Sequence, residues 1–99
     1  MHNHTINLAL QIVPQVASDK VYAVVDEAIA VIQQSGVKYR VCPFETVMEG
    51  SYDQLMDVVK RAQEVCFKAG AGQLLVYVKI QNNQHAGVSI EDKTGKYDG

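Results

Sequence analysis

Two carboxylates and a threonine stand out from the apolar run in which they occur. In "PFETVMEGSYDQ" (43–54), Glu45, Thr46 and Glu49 share a short segment with Phe44, Val47 and Met48. Carboxylates in that setting either face solvent, pair with a neighbouring cation such as Lys38 or Arg40, or face something the protein holds. For Thr46, β-propensity alone is a sufficient reason to sit in a strand. Cys42 and Cys66 lie in apolar surroundings with no neighbouring histidine, so they read as small buried hydrophobes rather than nucleophiles. His2 and His4 have strand spacing for a shared metal but read better as a frayed terminus. The chain contains no Ser-His-Asp set, Gly-rich phosphate loop, Cys-x-x-Cys pair or RNA-binding aromatic motif.

The chain as a whole narrows the chemistry further. Ninety-nine residues fit one domain (1–99), with 47% apolar and 20% charged residues. A net charge of −2 gives no electrostatic case for nucleic acid or an anionic membrane. The N-terminal "MHNHTINLAL" has no basic start or apolar run of signal-peptide length, and no segment is apolar for the ~18 residues that a span needs. With two unpaired-looking cysteines, a reducing cytoplasmic location is the simplest expectation.

Periodicity then places the residues. "TINLALQIV" (5–13) alternates as a strand and ends at Pro14, which cannot donate to a ladder. Ser18 or Asp19 is positioned to cap a helix running to about Ser35, with Gly36 as its left-handed stop. "VKYRVC" (37–42) and "ETVMEG" (45–50) read as a hairpin around Pro43 and Phe44. "SYDQ" (51–54) has the form of a capping box, opening a helix that stops at Gly70. "QLLVYVKI" (73–80) is apolar on both faces, which predicts an inner strand. The core thus spans about 5–81, and the tail 82–99 differs in composition. Within the tail "GVSIE" could add an edge strand, with disorder or a subunit contact expected after Lys93.

The order β-α-β-β-α-β, with right-handed crossovers, predicts an α+β, ferredoxin-like fold. It is a four-stranded antiparallel sheet with two helices on one face, and its first and third strands are central. The uncovered face should carry Ala9, Gln11, Val13, Lys38, Arg40, Cys42, Leu75, Tyr77 and Lys79. It should also carry either Glu45, Val47 and Glu49 or Phe44, Thr46 and Met48 from the third strand. A face so mixed suits a ligand site or a second subunit.

The run from Ser35 to Gly70, "SGVKYRVCPFETVMEGSYDQLMDVVKRAQEVCFKAG", resembles the YkoF-like thiamine-binding family. The resemblance extends from about Leu8 to Ile80, and "TVMEG" (46–50) before a capped helix is its most specific mark. It implies ferredoxin-like domains that associate through their sheets, some binding thiamine or its hydroxymethylpyrimidine part without turning it over. Carried over, Thr46 and Glu49 have the strongest case as ligand contacts. Glu45 or Glu49 would neutralise the thiazolium cation, while Gln11 and Thr46 would hydrogen-bond the aminopyrimidine. Tyr77 or Phe44 would stack on a ring. Gln11 stands where a smaller polar residue is expected, and the "QVAS" connection after Pro14 and the long tail also depart from the family's pattern.

These readings converge on a non-enzymatic binder of thiamine or a related pyrimidine. It is expected to need no cofactor or metal and to form a homodimer or homotetramer. One rival is a small enzyme using Glu45 or Glu49 as a general base in a sheet-face pocket. Another is a regulatory or interaction domain with an empty sheet face. Thr46 and Glu49 are three residues apart, so they reach one site only through a bulge or if Glu49 leaves the pleat at Gly50.

Overall fold

The computed structural model describes residues 4–95 and 97. Strand β1 (Thr5–Pro14) leads through a short 3-10 turn (Ser18–Lys20) into helix α1 (Val21–Gln34). Strands β2 (Lys38–Val41) and β3 (Thr46–Ser51) form a hairpin, followed by helix α2 (Tyr52–Lys68) and strand β4 (Leu74–Gln81). A short helix α3 (Ile90–Thr94) completes the order. The strands are antiparallel and lie in the sequence β2-β3-β1-β4, the ferredoxin-like arrangement.

The register fixes which side chains share a face. Leu8 lies opposite Met48 and Ile80, and Leu10 opposite Thr46 and Val78. That set faces the helices. Ile6, Leu8, Met48, Leu55, Val58 and Cys66 are fully enclosed there. Burying one such large aliphatic side chain contributes about 1.5–3 kcal/mol, so this layer accounts for the fold's cohesion. Asn7, Ala9, Gln11 and Val13 point to the open face, opposite Glu49, Val47, Tyr77 and Leu75.

Three expectations need correction. β4 is an edge strand, not an inner one, and its apolar residues are exposed on both faces (Leu75 and Tyr77 on one, Val78 and Ile80 on the other). On the helix side only Leu74 and Val76 of β4 pack partly against the core. Neither Ser18 nor Asp19 caps α1; the 3-10 turn intervenes and no side chain bonds the helix start. "GVSIE" adds no strand. Val88 donates its backbone N–H to the Thr5 carbonyl (2.9 Å), and α3 follows at Ile90, which is buried.

The stops and the second cap follow the sequence. Gly36 and Gly70 take positive φ (83° and 112°), where other residues are strained. Ser51 Oγ accepts from the Gln54 N–H at 3.2 Å, the first half of the capping box. Beyond Lys93, Gly95 N–H donates to the Glu91 carbonyl and Tyr97 N–H to that of Thr94. The rest of that tail, like the His2 half of the histidine pair, lies outside the described residues.

Candidate functional site

Two cavities flank the β2–β3 hairpin, one on each side of the sheet. On the helix side, a recess of about 270 Å³ opens between α1, the last residues of β1 and the hairpin. Its apolar wall comes from Val21, Val25 and Ile29 of α1, which the stripe of the helix leaves only partly buried. Cys42 N–H donates to the Glu45 carbonyl (2.9 Å), closing the turn that carries Pro43 and Phe44. Phe44 stands 81% exposed at the turn, and Tyr22, from the first turn of α1, is 83% exposed across from it. Thr46 is 7% exposed and lines the interior.

On the open face, a groove of about 400 Å³ runs between the sheet and α3. Arg40, Lys79 and Lys93 line it, with Glu45 the single carboxylate among its described lining residues. Glu45 and Cys42 border both cavities. The Glu45 carboxylate pairs with Lys79 Nζ at 2.9 Å, an ion pair whose lysine is mostly in solvent. Although the groove is larger, its charge is wrong for a cationic ligand. The recess has no cationic residue among its described lining residues.

Four of the six residues singled out from the sequence line the recess, Gln11, Phe44, Glu45 and Thr46, although the Gln11 side chain points to the open face. Glu49 and Tyr77 do not. The expected convergence of Thr46 and Glu49 is not realised. β3 stays paired to β1 through Gly50 and Ser51, so Glu49 keeps to the pleat and faces opposite to Thr46. Its Oε1 accepts the Ile90 N–H at 2.7 Å and ties down the start of α3. Tyr77 pairs with Gln11 across β4 and β1 and is 53% exposed on the open face.

Two residues had escaped notice. Tyr22 sits beside the apolar stripe of α1, and an aromatic residue placed outside both the core set and the charged face was its only signal. Asn7 is 4% exposed on the open face. Its Nδ2 donates to the Val88 carbonyl (3.0 Å), while Oδ1 has no partner among the described residues. Nothing in the alternation of 5–13 distinguished a buried Asn7 from a solvated one. Among the described residues, no cluster of three or more His, Cys, Asp or Glu could hold a metal. No helix among them is long and apolar enough to cross a membrane.

Comparison with known proteins gives this geometry its context. Residues 8–98 match the model of a family described as thiamine-binding protein. The chain belongs to the thiamine-binding protein family. It is 45% identical over 93 residues to a UPF0045 protein of Clostridium perfringens, covering 94% of this chain and 97% of that one. A solved Bacillus cereus structure, a domain of unknown function of the DUF77 class, superposes with a TM-score of 0.92 at 45% identity. That match covers 96% of this chain and 91% of the other. A Thermotoga maritima structure, provisionally described as a thiamine biosynthesis/salvage protein, superposes with a TM-score of 0.87 at 30% identity. The shares covered are 94% and 98%. Membership of the thiamine-binding family thus rests on nearly the whole chain and on the shared fold.

Proposed function

We propose that this protein binds thiamine, or a related hydroxymethylpyrimidine, in the recess between α1 and the β2–β3 hairpin, without turning it over. The observation that carries the reading is Thr46: a nearly buried threonine lining a cavity with no cationic residue among its described lining, in a thiamine-binding family member. The recess is slightly smaller than the ~300–1,000 Å³ usual for whole drug-sized ligands, which suits the flat pyrimidine inside and the thiazolium at the mouth. Thr46 then serves a polar edge of the aminopyrimidine, and Gln11, whose side chain points to the open face, takes no part in it. Tyr22 and Phe44, both exposed at the opening, supply π-faces for the cationic ring.

Glu45 provides the countercharge. Its partner Lys79 is mostly in solvent, while the carboxylate itself is 28% exposed. A solvated lysine holds a carboxylate weakly, so a bound cation can compete for it. A carboxylate already held by a lysine favours charge neutralisation over proton abstraction, which supports a binder rather than the general-base enzyme. Homo-oligomerisation is part of the same proposal. Val13, Leu75 and Tyr77 form an apolar half of the open face that neither the helices nor the C-terminal segment reaches.

Calorimetric titration with thiamine, its phosphates and the free pyrimidine tests the reading. Saturable binding of thiamine, with the ligand recovered unchanged after long incubation, is expected. No binding at millimolar thiamine, or conversion of the ligand, would refute it.

A further inference from the structure

The open-face groove differs in chemistry from the recess, and the thiamine reading leaves it unused. Three cationic side chains border it from three separate elements: Arg40 of β2, Lys79 of β4 and Lys93 of α3. Against the one carboxylate of Glu45, which pairs with Lys79, they leave a cationic excess among the groove's described lining in a chain whose net charge is −2. Its lining also includes the apolar side chains of Ala9, Val47 and Ile90. Asn7 also lines the groove, and its carbonyl oxygen is a buried acceptor with no donor among the described residues. The amide orientation is fixed, because Nδ2 donates to the Val88 carbonyl and a flipped amide would set two carbonyl oxygens together.

We infer that this groove is a second ligand site, for the phosphate monoester of a flat, uncharged ring bearing an amino or hydroxyl group. The ring covers the apolar side chains, its donor meets Asn7 Oδ1, and the phosphate lies between Lys79 and Lys93. A phosphate near neutral pH carries about 1.5–2 negative charges and three strong acceptor oxygens, which matches cations arriving from several elements better than a single carboxylate does. Binding there would also draw Lys79 away from Glu45, leaving that carboxylate free to serve a cation in the recess.

The test uses the full chain, with 4-aminophenyl phosphate as probe and backbone amide shifts as readout. Inorganic phosphate and 4-aminobenzoate serve as comparison ligands. The inference expects saturable shifts centred on Ala9, Val47 and Ile90 with the ester, and weaker binding of both comparison ligands. Lys79→Gln combined with Lys93→Gln should weaken the ester by about tenfold or more, as for loss of charge-assisted contacts, and should not weaken thiamine. No saturable groove shifts with the ester would overturn the inference. So would equal binding of inorganic phosphate or 4-aminobenzoate, or unchanged affinity in the double variant. Because thiamine is titrated into the same samples, failure of the groove and failure of the recess are read separately.

Discussion

At the scale of single residues, the roles of Thr46, Glu45 and Glu49 are separable by experiment. Thr46→Val removes one neutral hydrogen bond and should weaken both thiamine and the neutral pyrimidine by about 0.5–1.5 kcal/mol, measured by calorimetry. Glu45→Gln should weaken thiamine but leave the neutral pyrimidine unchanged, since only the charge is lost. Glu49→Gln should leave both affinities intact and instead raise amide exchange at Ile90, whose N–H the carboxylate accepts. Cys66 is fully buried beside the Val24 carbonyl, and burial, with a smaller contribution from Glu27, pushes its thiol pKa up. It should therefore resist thiol reagents in the native protein and react only on unfolding; rapid native labelling would contradict that packing. The sequence made Thr46, Glu45 and Glu49 visible because polar residues interrupted an apolar run. It could not say which of them shared a face, because that depends on whether Gly50 breaks the pleat. It does not: Gly50 lies opposite Ile6 in the ladder.

At the scale of elements, the capping and turn chemistry was legible because it is local. Ser51 caps α2 where "SYDQ" places it, and Gly36 and Gly70 stop the helices with the φ values that glycine permits. Ser51→Ala should cost about 1 kcal/mol of stability, read from denaturant unfolding, with thiamine affinity unchanged. A loss of affinity without a loss of stability would instead make Ser51 a ligand contact. The order of strands was equally legible, since β-α-β-β-α-β with right-handed crossovers leaves few alternatives. The position of β4 was misread from its own composition, because apolarity on both faces looks the same whether the cover comes from this chain or from another. The C-terminal segment was unreadable for a related reason. What directs it is a set of long-range bonds, Val88 to Thr5 and Asn7 and Ile90 to Glu49, which no local pattern announces.

At the scale of the whole molecule, the two sides of the sheet divide the work. The helix side closes the core and leaves the recess at one end of α1, bounded by the hairpin. The open side is shared between the C-terminal segment, which covers the Asn7 end, and the bare patch around Val13, Leu75 and Tyr77. Light scattering at micromolar concentration should show a homodimer or homotetramer, and particles of only 10.9 kDa would contradict it. Leu75→Glu should shift the assembly toward monomer, since a carboxylate in an apolar contact loses its hydration without a partner. The central claim, that thiamine occupies the recess and not the sheet face, is tested most directly by mapping amide shifts as thiamine is titrated into the labelled protein. The account expects saturating shifts at Gln11, Tyr22, Phe44 and Thr46, with Val47, Leu75 and Tyr77 little changed. Shifts centred on Val47, Leu75 and Tyr77, with Tyr22 and Thr46 silent, would contradict it.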